Sequence, residues 1–120
     1  MLKSSEEVMK TTRTVESFFS EEYLRYAHYT LSSRAIPSVI DGFKPTQRKV
    51  AHAASRVWRS GNEKPLKVFQ LAGNVAATTY YHHGDASLSQ TIITMAQDFK
   101  NSLPIFEGIG QFGTLRSPEA

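Results

Sequence analysis

Two stretches of the chain hold residue types that could do chemistry together. In Asp41-Gly-Phe-Lys-Pro-Thr-Gln-Arg-Lys-Val50, the cations Lys44, Arg48 and Lys49 crowd the start of a helix, with Gln47 in the same strip. In Tyr80-Tyr-His-His-Gly-Asp85, His82 and His83 occupy a tight turn ahead of another helix. Cations and hydrogen-bond donors gathered at a helix start and at a turn suit the charge and shape of phosphate oxygens. The chain between them is long enough for a helix and a return. Together they predict a basic helix-turn-helix surface suited to gripping a phosphate backbone.

Other chemistries find less support. There is no cysteine, which excludes a disulfide framework and a thiolate metal site. Adjacent histidines seldom point the same way, and a mononuclear zinc site would need further ligands, so no metal site is expected. Gly108-Ile-Gly-Gln-Phe-Gly113 has the bare spacing of a dinucleotide fingerprint, but Thr114 to Pro118 do not open the helix that motif requires. No Ser–His–acid set can be assembled. Tyr80 and Tyr81 flank the histidines and could touch DNA, yet neither has an adjacent arginine to activate it.

The elements that must position these residues follow from composition and period. The 120 residues make one domain at most, 40% hydrophobic, with a formal charge of +3 and a pI of about 9.3. That balance favours an anionic partner without requiring one. No signal-peptide core and no membrane-length apolar run occurs, which predicts a soluble, intracellular chain with no membrane contact. Met1 to Thr14 is polar and predicts a frayed tail. Val15, Phe18, Phe19, Tyr23, Tyr26 and Ala27 recur at helical spacing, which predicts a helix ending near Ser33. Its aromatics belong to the core in the plain reading and to a partner-docking arm in the other. A connector runs from Arg34 to Gly42. Pro45 then stands at the first position of a helix that runs to about Arg59, with Val50, Ala53, Ala54 and Val57 inward and Arg48, His52, Arg56 and Arg59 on an outer stripe. Ser60 to Lys64 is a polar turn. Leu66 to about Tyr80 is a second helix, in which Gly73 suggests close packing against a neighbour. Asp85 is expected as the N-cap of a third helix, with Leu88, Ile92, Met95, Ala96 and Phe99 inward and Ser87, Gln90, Thr91, Thr94 and Gln97 on a polar face. Lys100 to Ala120 is irregular, with Ile109 to Leu115 a short strand or strand-like wing.

At this point the motifs resemble a known family. Ile36-Pro-Ser-Val-Ile-Asp-Gly-Phe-Lys-Pro-Thr-Gln-Arg-Lys-Val50 is similar to the opening of the DNA-cleavage domain of type IIA DNA topoisomerases. Leu66-Lys-Val-Phe-Gln-Leu-Ala-Gly73, Tyr81-His-His-Gly-Asp85 and Ile109-Gly-Gln-Phe-Gly-Thr114 follow in the family's order and spacing. The Tyr-His-His-Gly form is nearer the eukaryotic and T4-like phage enzymes than bacterial gyrase. The short lead before the first motif resembles a separate breakage-reunion subunit, as in gyrase and T4-like phages. The resemblance implies a mainly α fold with a small β wing: an incomplete winged-helix domain of the catabolite-activator type over 34–120, preceded by a tail and helical arm over 1–33. It implies that Arg34, Lys44, Gln47, Arg48, Lys49, His82 and His83 bind DNA, with Arg34, Arg48 and His83 as supporting cations at the phosphate. It also implies an ATP-hydrolysing enzyme that passes DNA through transient double-strand breaks by a 5′-phosphotyrosyl link. Its partners would be double-stranded DNA, an ATPase and metal-binding subunit, and a second copy in a homodimer. Mg2+ and ATP would be bound by parts outside this chain. A phage or bacterial source would place it in the cytoplasm of the bacterial cell, at the nucleoid.

Two departures qualify the resemblance. The family's wing continues past Gln-Phe-Gly-Thr to an Arg-Tyr pair, and this sequence stops at Ala120, a handful of residues earlier. Nucleophile and arginine are then absent, and a truncated, catalytically inactive fragment is expected. At the positions where gyrase-type enzymes anchor a quinolone through a serine and an acidic residue, this chain has Ala86 and Gln90, which implies poor quinolone sensitivity. Two other classes stay open: a non-catalytic winged-helix DNA-binding module, and a partner-docking protein whose basic face is incidental.

Overall fold

The computed structural model describes residues 13–59 and 64–119. They fall into two compact units, Met1–Ile36 and Pro37–Ala120. Residues 1–12 of the predicted tail and 60–63 of the predicted turn lie outside the described residues.

The first unit is one helical rod, α1, over 15–35. Thr14 caps its start, its Oγ1 accepting the Ser17 N–H at 3.2 Å. The rod alternates α-helical turns at Val15–Ser17 and Leu24–Thr30 with wider π-helical turns at Phe18–Tyr23 and Leu31–Ala35. The Ile36 N–H donates to the Leu31 carbonyl at 3.0 Å and closes the last wide turn. The expectation that the aromatics of α1 form core is overturned: no residue of the rod is buried, and Tyr26 and Tyr29 are 65% and 68% exposed. A helical stripe is buried only against another element, and among the described residues of this unit the rod is the sole element, so its rings stay exposed. The rings instead meet their chain neighbours, Phe18 on Phe19 at 5.8 Å and Phe19 on Tyr23 at 5.3 Å between centroids.

The second unit packs three helices, α2 (Pro45–Val57), α3 (Val68–Thr79) and α4 (Asp85–Ala96). The first two begin alike. Gln47 Oε1 accepts the Lys44 N–H at 2.9 Å, and Gln70 Oε1 accepts the Lys67 N–H at 3.1 Å. Each glutamine reaches back from the third helical position and satisfies a donor that the helix leaves free. Pro45 occupies the first position of α2, as expected. The expectation that Asp85 caps α4 is corrected by one residue. Gly84 holds the cap position at φ 89°, a conformation glycine adopts readily, and Asp85 is the first helical residue. Its carboxylate still lies at the positive end of the helix.

The core matches the predicted inward faces of α2 and α4 except at Val57 and Ala96, which are half-buried, and Phe99, which lies past the end of α4. Val50, Ala53 and Ala54 of α2 meet Leu71, Ala72 and Val75 of α3 and Leu88, Ile92 and Met95 of α4. Trp58, Val68, Ala76, Tyr81 and Phe106 close it at the edges. Gly73 departs from its expectation: a Cβ there would meet nothing within 4 Å, so it is not a close-packing residue in this unit.

Gln97 departs in the opposite direction. Expected on the polar face of α4, it is 1% exposed. The helix stops at Ala96, and extended backbone at Gln97 (φ −75°, ψ 114°) turns its side chain under the returning segment. Its Nε2 donates to the Phe112 carbonyl at 2.7 Å and the Pro118 carbonyl at 3.2 Å, while its Oε1 is buried with no hydrogen-bond partner. Gly113 makes that return possible, since a Cβ would lie 2.9 Å from the Pro118 backbone. The β wing is not formed: among the described residues there is no strand, and 109–115 is irregular chain. An isolated extended segment has no neighbour to pair with, and a lone strand is not stable.

Leu88→Ala in the 37–120 unit should lower unfolding free energy by about 2–5 kcal/mol, the usual cost of emptying a buried leucine site. Gly73→Ala should raise it by about 1 kcal/mol, because the helix gains propensity and the added methyl meets open space. Urea titrations check both, and a destabilised Gly73→Ala would show that α3 is packed against something at that position.

Candidate nucleic-acid interface

The candidate residues of the second unit stand on the α2 start and the α3–α4 turn. The loop before α2 is shaped by its own backbone. The Ser38 N–H donates to the Phe43 carbonyl at 3.0 Å, and the Gly42 N–H to the Ser38 carbonyl at 2.8 Å. Asp41 sits in that loop, and its Oδ1 accepts the Phe43 N–H at 3.0 Å. The same carboxylate grips Arg48 with two bonds of 2.7 Å, from Nε and Nη2. A guanidinium held through its Nε–Nη2 edge keeps Nη1 for a further acceptor. The Arg48 bonds, followed by the Phe43 N–H, pull the Asp41 carboxyl from 3.8 down to about 2, and the pair in turn pushes Arg48 up. Asp41 was not among the residues singled out in the sequence. An acid seven positions ahead of an arginine, across a glycine turn and a helix start, is the signal that could have found it.

Lys49 is fixed as well. Its Nζ donates to the Thr79 carbonyl at 3.2 Å, at the end of α3, and lies 5.6 Å above the Tyr81 ring. A cation over an aromatic face is attracted by the ring quadrupole. Tyr81 is held from two more sides, by a 3.2 Å bond between its hydroxyl and Ser87 Oγ and by an edge contact with the His83 ring at 5.3 Å. The α2 start and the histidine turn are therefore joined through Lys49. His82 is exposed on it.

Between the first turn of α2 and α4 lies a cleft of about 350 Å³. Lys44, Thr46 and Gln47 form one wall, and Ser87, Gln90, Thr91 and Thr94 the other. The Gln47 oxygen is committed to the Lys44 N–H, so Gln47 shapes the helix start rather than offering a free acceptor. The cleft holds one cation and no carboxylate, which suits an anionic backbone passing through it.

Arg34 belongs to the first unit, in the last turns of α1. That unit also holds the one Arg-Tyr pair of the chain, Arg25-Tyr26, which was missed in the sequence. Consecutive helical residues do not face each other, so the pair is not an arginine set against a tyrosine nucleophile. Among the described residues, no group of three or more His, Cys, Asp or Glu side chains could hold a metal ion, and the residues present do not fit a magnesium site. No helix of the described residues is long and apolar enough to cross a membrane.

Comparison with known proteins agrees with these motifs. Residues 34–120 match the family of the A subunit of DNA gyrase/topoisomerase IV. The mitochondrial DNA topoisomerase 2 of Dictyostelium discoideum is 46% identical over 103 residues, covering 84% of this chain and 8% of that protein. DNA topoisomerase 2-alpha of Homo sapiens is 42% identical over 106 residues, covering 87% of this chain and 7% of that one. In structure, the chain is similar to the Plasmodium falciparum topoisomerase II DNA-binding, cleavage and re-ligation domain, with a TM-score of 0.65 and 42% identity over 80% of this chain and 13% of that one. The chain thus spans less than a tenth of the length of these two topoisomerase relatives.

The Asp41–Arg48 pair has a pH signature. A carboxyl whose folded value is depressed stabilises the loop above its ordinary value of 3.8, and that contribution is lost as pH falls through about 2. A carbon-detected NMR titration should place Asp41 near 2, and Arg48→Ala should return it toward 3.8. An Asp41 value indifferent to Arg48→Ala would break the assignment of the pair.

Proposed function

The chain belongs to the type II DNA topoisomerases, in the breakage-reunion region shared with the A subunit of gyrase and topoisomerase IV, and from that membership we propose that it grips duplex DNA within such an enzyme. The observation that carries the reading is the joining of Lys49 to the Thr79–His83 turn beside a cleft that offers hydroxyls, amides and Lys44 but no acid. In this reading Lys44, Arg48, Lys49, His82 and His83 contact phosphates, with Arg34 from the first unit. Gln47 sets the α2 start, and Asp41 aims the Arg48 fork. The α3–α4 pair acts as the helix-turn-helix of the DNA-cleavage domain, α4 lying toward the DNA with its uncharged face.

The complete enzyme would change DNA topology through transient double-strand breaks and a 5′-phosphotyrosyl link, driven by ATP hydrolysis. A second copy and an ATPase and metal-binding subunit would complete it, and those parts would bind the Mg2+ and ATP. It would work in the cytoplasm, at the nucleoid of a bacterial cell if the source is phage or bacterial. In this reading none of the five tyrosines is its nucleophile, and these 120 residues bind DNA without cutting it. The exposed aromatics of α1 favour a second, compatible role for that rod in docking a protein partner.

Anisotropy titrations with duplex DNA from low to moderate salt should give a log–log slope of roughly −0.9 for each phosphate contact. Arg48→Ala should reduce that slope by about one contact and weaken binding equally across unrelated sequences. No binding at low salt would sink the reading. Incubated with supercoiled plasmid, ATP and magnesium, the chain should yield neither relaxation nor protein-linked DNA. An adduct mapped to any of its tyrosines would show that the nucleophile has been misplaced.

A further inference from the structure

Tyr80 is the only non-glycine residue with a positive φ among the described residues, at φ 50° and ψ 52°. It ends α3 in the left-handed conformation, and the Tyr81 N–H reaches back to the Ala76 carbonyl at 3.3 Å. This is the helix-ending position that glycine or asparagine fills without strain. A tyrosine there forgoes stability, and its ring gains nothing from the fold. It is 80% exposed and makes no side-chain hydrogen bond or ring contact with the described residues. Its neighbour Tyr81 is the reverse, held by Lys49, Ser87 and His83. The turn therefore pins one ring inward and holds the other outward. The outward ring follows Thr79, whose carbonyl holds Lys49, and stands two residues before the exposed His82. Strain retained at an exposed residue beside a binding surface points to a role in binding.

We propose that Tyr80 is a non-ionic DNA contact, its ring lying against a deoxyribose next to the phosphates that the neighbouring cations hold. The inference rests on the DNA-gripping reading above. The left-handed turn points the ring away from the fold, and apolar contact with a deoxyribose reads no particular base, because every nucleotide carries the same sugar. It also differs from a cation in one measurable way. It displaces no counterion, so it adds affinity without adding salt dependence.

The test is the same duplex titration at several salt concentrations, on wild type, Tyr80→Gly and Tyr80→Phe, with thermal unfolding of each. Tyr80→Gly should unfold several degrees higher, because glycine suits the conformation. It should nonetheless bind several-fold more weakly at every salt concentration, with the wild-type slope. Tyr80→Phe should bind as wild type does. Tyr80→Gly binding like wild type would overturn the proposal and leave Tyr80 as a strained helix end. A change of slope in Tyr80→Gly would overturn it too, because the loss would then be ionic. If wild type itself fails to bind, the DNA-gripping reading falls first, which separates the two failures.

Discussion

The close approach of three helices through small side chains is the constraint on which the second unit depends. Ala53, Ala54 and Ala72 are small residues buried in the core that α2, α3 and α4 share, while Val50, Val75 and Leu88 are fully buried there. Interiors pack at near-crystalline density, so larger residues at the alanine positions would push the helices apart. The separation matters beyond stability. Lys49 reaches from α2 to the last carbonyl of α3 at 3.2 Å, and that reach makes the α2 start and the histidine turn one surface.

On that surface, cations are held before any ligand arrives. Asp41 fixes the Arg48 fork through two bonds, and the Thr79 carbonyl with the Tyr81 ring fixes Lys49. Long basic side chains lose much rotamer freedom on binding, and side chains already ordered lose less. Asp41 subtracts one positive charge from the face, which weakens long-range attraction and sharpens geometry. Both arrangements serve contact with a regularly spaced phosphate chain better than with a diffuse anionic surface.

Much of this was legible in the chain. The apolar period of α2, α3 and α4 marked most of their inward residues because each packs one stripe on one core, and Pro45 and the turn from Tyr80 to Gly84 bound the helices as expected, although α4 stops at Ala96, short of Phe99. What was not legible depends on contacts distant in sequence or on backbone detail. Gln97 looks like the last residue of a polar face, and its burial follows only from the return of Phe112 and Pro118 above it. Gly73 looks like a packing residue, yet a packing role needs a neighbour, and none lies within reach. The wide turns of α1 leave no mark in a 3.6-residue pattern. The Ile109 to Leu115 segment has strand-like residues but no partner strand among the described residues, and propensity alone does not make a sheet. The candidate cations were singled out by type, whereas Asp41 escaped because a carboxylate among them looks out of place until its bonds to Arg48 are seen.

The central claim is that DNA is held on the face built from the α2 start, the histidine turn and the polar side of α4. Amide and side-chain NMR shifts of the chain, followed as a short duplex is added, measure it most directly. The account predicts that the largest changes cluster at Asp41 to Lys49, at Tyr80 to Gly84, and at Ser87, Gln90, Thr91 and Thr94. Changes concentrated instead around Trp58, Leu66 and Phe106, with the histidine turn unmoved, would contradict it.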